Sequence, residues 1–208
     1  MRNLKCLFVL GICSAFVCAS DGWKPAAGPL FTRWAESVSP ERAWPEYPRP
    51  QFRRSEWLNL NGLWDYAIVS RDSEQPKKWQ GKILVPFCVE SALSGVMARV
   101  EPEQAVWYHR TFRIPQAWAG KHVLLNFQAV DWEATVWVNG KKIGSHRGGY
   151  DPFTFDITDA LKDGENSIVV RVWDPTDRGY QPRGKQVLKP RGIWYTAVTG
   201  IWQTVWLE

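Results

Sequence analysis

The segment Ala134-Thr-Val-Trp-Val-Asn-Gly-Lys-Lys-Ile-Gly144 constrains the fold more than any other. Asn139-Gly140 between β-rich flanks specifies a tight hairpin, because a type I′ turn needs positive φ at both central residues. The same alternation of short apolar runs and turn residues recurs along the chain. Leu58, Leu60, Leu63, Tyr66 and Ile68 flank Asn61-Gly62, and residues 83–87 form a short apolar run. Residues 106–114 alternate, with Trp107, His109, Thr111 and Arg113 on one face and Tyr108, Arg110, Phe112 and Ile114 on the other. Residues 123–127, 153–157, 168–173, 193–195 and 200–207 read as further strands. Helical periodicity is confined to one turn at 159–162. Many short strands spaced about 8–12 residues apart define an all-β antiparallel sandwich or barrel. An eight-fold α/β barrel needs about 250 residues, so the 208 here leave no room for one.

The first twenty residues form a separate unit. Arg2 and Lys5 precede an apolar stretch, 6–19, and small residues lie before Asp21. This is the pattern of a secretory signal, and it is too short to span a bilayer. The expected destination is periplasmic or extracellular, with Cys13 or Cys18 as an alternative lipid-attachment point. Three of the four cysteines lie in this leader, so Cys88 has no partner for an intramolecular disulfide. It sits in an apolar run and is expected to be an inert thiol. Residues 21–55 hold many prolines and read as an irregular arm. Residues 56–208 form the domain. No transmembrane segment is expected.

Charge excludes one class of partner. The net charge is +5, but two of the 26 basic residues lie in the leader, and the rest are interspersed with acids. A nucleic-acid binder would carry a basic stripe. His109, His122 and His146 are scattered, and no metal signature or phosphate-cradling loop occurs, so no cofactor is expected. Acidic residues are abundant in loops (Glu90, Glu101, Glu103, Asp131, Glu133, Asp151, Asp156, Asp174 and Asp177), but the sequence pairs no two of them.

Two segments stand out: Asp131-Trp-Glu133 before the hairpin, and the long polar loop 173–186, which is flanked by Trp173 and Trp194. That loop concentrates carboxylate, guanidinium and amide groups beside aromatic rings. These groups recognise sugars, since ring faces stack on aromatics and hydroxyls exchange hydrogen bonds with Asp, Arg and Gln. The loop and the flanking Trp194 are therefore the candidate sugar-contacting segment.

At these residues the sequence resembles the N-terminal sugar-binding domain of glycoside hydrolase family 2, the β-galactosidases, β-glucuronidases and β-mannosidases. The resemblance is carried by Leu58-Asn-Leu-Asn-Gly-Leu-Trp64, Val85-Pro-Phe87, Trp107-Tyr-His-Arg-Thr-Phe112 and the 136–144 hairpin. It continues through Gly148-Gly-Tyr-Asp-Pro-Phe-Thr-Phe-Asp-Ile-Thr158, Gly164-Glu-Asn166 and Gly200-Ile-Trp202. It implies a jelly-roll, galactose-binding-like β-sandwich that binds a β-linked glycan. In such enzymes an immunoglobulin-like sandwich and a (β/α)8 barrel follow, as partners of this domain. The barrel carries two catalytic glutamates for a retaining double displacement, and the acid/base typically follows an Asn. No Asn is followed by Glu here, so no catalytic residue is carried over to this chain. The resemblance also implies that a loop of this domain lends polar groups to the active-site rim, which makes Asp174, Asp177, Arg183 and Gln186, with the flanking Trp194, the candidate substrate-binding residues. A stand-alone carbohydrate-binding module and a purely structural sandwich are the competing readings.

Overall fold

The computed structural model describes residues 22–28 and 30–208. The leader expected over residues 1–20 lies outside them. The strands are β1 (Leu58–Asn59), β2 (Gly62–Ser70), β3 (Gly81–Val85), β4 (Gln104–Arg113), β5 (Leu124–Phe127) and β6 (Val130–Asp131). They continue with β7 (Glu133–Val138), β8 (Lys141–Arg147), β9 (Phe153–Asp156), β10 (Glu165–Trp173), β11 (Gly200–Ile201) and β12 (Val205–Leu207). One sheet has the order β3-β2-β4-β10-β7-β8 and another β1-β12-β5-β9, while β11 and β6 form a short ribbon. Every pairing between these strands is antiparallel. The chain is an all-β antiparallel sandwich, one of the two architectures the strand spacing allowed and the one the family resemblance implied.

The core follows from strand alternation. Ile168, Val170 and Val172 of β10 point inward with Val136 and Val138 of β7, Val106, Tyr108 and Phe112 of β4, and Trp64 of β2. They pack on Leu125, Phe127, Val205 and Leu207 of the facing sheet. Arg110 shares this inward parity. Its guanidinium donates to the carbonyls of Asn61 (3.0 Å) and Leu63 (3.3 Å), which satisfies it at the sandwich edge. The opposite face of the larger sheet is also covered. Trp107 stacks on Trp137 (5.5 Å), and Trp79 stacks on His109 (5.3 Å).

The hairpin turns at Asn139 (φ 50°) and Gly140 (φ 81°), as its sequence dictates. Asn139 does more than turn the chain. Its amide donates to Ala160 O (2.8 Å) and Asn166 Oδ1 (2.7 Å), and its Oδ1 accepts from Ser167 N (2.9 Å). Asn166 is buried and in turn bonds Lys162 N and O, so the hairpin tip is locked to the entry of β10.

Three local expectations change. Residues 193–195 form no strand, because Trp194 and Tyr195 make only isolated bridges, to Arg191 and Gln186. Residues 200–207 form two strands in different sheets rather than one. The break falls where Asn61 inserts its side chain, accepting from Val205 N (3.0 Å) and donating to Thr204 Oγ1 (3.2 Å). The helical turn expected at 159–162 is a 3-10 turn at Thr158–Ala160.

The arm contains two 3-10 turns, at Ala35–Ser37 and Pro40–Arg42, and is tied to the body by side chains. Glu208 accepts from Tyr47 (2.6 Å) and Arg49 (2.8 Å), and Gln128 donates to Pro48 O (3.4 Å). No helix among the described residues is long and apolar enough to cross a membrane.

The Asn139–Asn166 lock makes a stability prediction. Asn139→Ala loses three hydrogen bonds and puts at positive φ a residue that tolerates it less readily than Asn does, so it should cost about 2–4 kcal/mol in urea unfolding. Combined with Asn166→Ala, the double-mutant cycle should return a coupling of about 1 kcal/mol or more. Additive losses would show that the two side chains act independently.

Candidate functional site

The site begins where β10 ends. Asp174 follows Trp173, and the chain runs through a long loop to Gly200 of β11, which pairs with Asp131 of β6. A loop of this length needs its own internal supports, because most of its backbone groups lack a ladder partner. Polar side chains supply them. Asp174 Oδ1 accepts from Thr176 N (2.8 Å), and Gln181 donates to Thr176 O (2.8 Å). Asp177 Oδ2 accepts from Leu188 N (3.3 Å). Gln186 uses both ends of its amide: Oε1 accepts from Val198 N (2.6 Å), and Nε2 donates to Asp131 Oδ2 (3.1 Å). The loop also folds back on itself through Val187 N to Tyr195 O and Tyr195 N to Lys185 O.

The five residues singled out from the sequence thus separate by direction. Asp174 is 2% exposed, and Asp177 and Gln186 hold the loop from within. Arg183 and Trp194 reach the surface together, with the guanidinium 5.8 Å from the indole centroid. Lys185 lies 5.8 Å from the ring of Tyr195 in the same way. Ile193, Trp194, Tyr195 and the nearby Tyr150 are all exposed. Residues 182–199 include Arg183, Lys185, Lys189 and Arg191 and no carboxylate. The outer face is therefore aromatic and cationic.

Beneath the loop lies a group of acids, Asp131 and Asp174 buried and Glu90 half-buried. Glu90 accepts from Thr199 N (2.9 Å) through Oε2, while its Oε1 is buried without a partner among the described residues. Burial, with the Asp174 charge adding to it, pushes the Glu90 carboxyl up to about 7. Burial and the same Asp174 charge push Asp131 up to about 7. Burial also raises Asp174, against the pull of its Thr176 hydrogen bonds. None of the groups that set these three values is cationic. Sequence reasoning flagged Asp131 but left Glu90 among the loop acids. The available signal was its position next to the apolar run 83–89. The Cys88 thiol beside it is pushed up to about 12 by burial and by Glu90, as befits an inert thiol. Each histidine has a local partner: His109 pairs with Asp65, His122 pairs with Asp156, and His146 stacks on Phe153.

A carboxyl whose folded pKa is raised binds its proton more tightly folded than unfolded, so its stabilising contribution is complete below about 4 and lost as pH rises to about 7. Stability should therefore fall across this window, and Glu90→Gln should flatten the fall and stabilise the chain at pH 8 by about 2 kcal/mol. An unchanged pH profile of the thermal midpoint in this variant would refute the assignment. Gln186→Ala removes the side-chain hydrogen bonds that tie the loop to Asp131 and Val198. It should increase tryptic cleavage at Arg183, Lys185 and Arg191 several-fold, with little change in global unfolding.

Comparison with known proteins places this geometry. Residues 83–207 match the family profile described as glycosyl hydrolases family 2, sugar binding domain. A β-glucuronidase of Bacteroides fragilis is 48% identical over 120 residues, covering 54% of this chain and 16% of that protein. A β-galactosidase of Thermoanaerobacter pseudethanolicus is 38% identical over 104 residues, covering 49% of this chain and 13% of that protein. Among solved structures, a Lactobacillus rhamnosus β-glucuronidase superposes with a TM-score of 0.58 at 28% identity, covering 77% of this chain and 29% of that one. The chain thus spans less than a third of the length of each of these proteins. The match covers the larger sheet from β3, the hairpin, the loop and the closing strands, and the chain belongs to glycosyl hydrolase family 2 through its sugar-binding domain.

Proposed function

We propose that the chain serves as the substrate-contacting N-terminal domain of a retaining β-glycosidase, with the outer face of the 174–199 loop meeting the sugar. In this reading Arg183 and Trp194 touch the glycan. The indole offers a ring face to the sugar's C–H surface, and the guanidinium offers paired donors to its oxygens. Asp174, Asp177 and Gln186 act through the loop, holding those two groups in place. The acid/base and nucleophile carboxyls of the double displacement lie outside these 208 residues. Their chemistry enters only through the family.

The observation that carries this reading is the pairing of an inward-facing polar scaffold with an outward-facing Arg183–Trp194 couple. Four cations without a carboxylate along residues 182–199 support an acidic sugar, a uronide, over a neutral one. Several similar proteins are named β-glucuronidases, which supports the same choice. A sandwich with only a packing role would not need an aromatic-cationic surface at this loop.

Calorimetric titration tests this directly. A glucuronide-terminated oligosaccharide should bind more tightly than its galactoside counterpart. Arg183→Ala should remove the difference, at a cost of about 1.5–3 kcal/mol for a charge-assisted hydrogen bond. Trp194→Ala should weaken both ligands. Equal affinity for the two sugars in the unmodified chain would count against a uronide, and no binding to either would count against sugar contact at this face.

A further inference from the structure

At the end of the larger sheet, a cleft of about 700 Å³ opens between the β7–β8 ends and residues 175–181 of the loop. It shares no lining residue with the Arg183–Trp194 face. Its floor is firmly built. The Trp173 indole N–H donates to Pro102 O (2.7 Å), and the Arg71 guanidinium covers the ring at 3.6 Å. Arg71 is itself anchored, its carbonyl accepting from Arg171 Nη2 (2.6 Å). One wall is the Arg147–Glu133 ion pair (2.7 Å). The other is the loop, with Arg178 and Tyr180 at the surface and Gln181 held by Thr176.

Two features decide what such a cleft accepts. First, it offers ring faces. Trp132 is half-buried and Tyr180 fully exposed, and neither stacks on an aromatic or guanidinium group among the described residues. Second, its charges balance, with Arg71, Arg147 and Arg178 against Asp72, Glu103 and Glu133. A wholly apolar ligand would strip water from these six groups without replacing its hydrogen bonds. An anion would meet as much repulsion as attraction. A neutral, hydroxyl-rich ligand satisfies both sets, since each hydroxyl donates to carboxylates and accepts from guanidinium groups. Its pyranose faces can also lie on Trp132 and Tyr180. The volume falls in the range of about 300–1,000 Å³ typical of small-ligand sites.

We propose that this cleft is a second glycan-binding site, one that takes a neutral polysaccharide chain. It stands apart from the uronide reading of the loop's outer face, which can fail without affecting it. One loop then presents two surfaces: cationic on one side for an acidic sugar, and charge-balanced on the other for a neutral chain.

Affinity electrophoresis of the chain in gels containing soluble β-mannan, xyloglucan or galactan tests the proposal, with polygalacturonate as the anionic comparison. Retardation by at least one neutral polysaccharide is expected. Tyr180→Ala and Arg178→Ala, both at exposed positions and checked for unchanged thermal midpoints, should each raise the apparent Kd tenfold or more. Arg183→Ala and Trp194→Ala should leave it within twofold. The proposal is overturned by no retardation in any neutral gel or by retardation in polygalacturonate alone. It is equally overturned if the Tyr180 and Arg178 variants bind as before, or if Trp194→Ala abolishes retardation as strongly as they do.

Discussion

Strand β10 is hydrogen-bonded along both edges, to β4 on one side and β7 on the other. Everything that positions the candidate site depends on these two ladders. Ile168, Val170 and Val172 anchor the strand in the core. Asn166 at its entry is tied to the hairpin tip through Asn139. The point at which the chain leaves the sheet, Trp173 to Asp174, is therefore fixed before the loop begins. A loop springing from an edge strand would inherit that strand's freedom. This one starts from the middle of a six-stranded sheet.

The loop's ordering comes at an electrostatic cost. Glu90, Asp131 and Asp174 lie where burial disfavours their ionised forms, and the charge on Asp174 works against both of the others. Amide and backbone donors offset part of that cost. Gln186 serves Asp131, Thr199 N serves Glu90, and Thr176 N serves Asp174. Leaving such acceptors without donors would cost more than the hydrogen bonds themselves contribute. This explains why the polar residues of the loop turn inward, and why the ones left outside, Arg183 and Trp194, are free to meet another molecule.

Much of this was legible in the sequence, for definable reasons. The Asn139-Gly140 turn and the alternation of β4, β7 and β10 are local signals with one structural solution each. The division of residues 200–207 between two sheets was not legible. It depends on Asn61, more than a hundred residues away in sequence, inserting between backbone groups near Thr204 and Val205. In the candidate site, residue type singled out the 173–186 loop, because carboxylates, guanidinium groups and amides are concentrated there. Which of them face inward was hidden, since Asp174 and Arg183 look equally suited to a sugar. Glu90 acquires its role only when the β3 end and Thr199 are brought together. The tryptophans divide in the same way. Trp64 and Trp206 lie in the interior, whereas Trp132 and Trp194 owe their accessibility to loop paths that no periodicity reveals.

The inward supports of the loop have a consequence for evolution and for engineering. Residues that specify the loop's path and residues that present its surface are different residues. Arg183, Lys185 and Trp194 can be exchanged without disturbing Asp174, Gln186 or Thr199, much as a paratope is varied on a constant framework. Descendants of such a chain could diverge in the ligand they recognise while keeping the backbone that displays it, and a designed library at those three positions would sample new recognition on an unaltered frame.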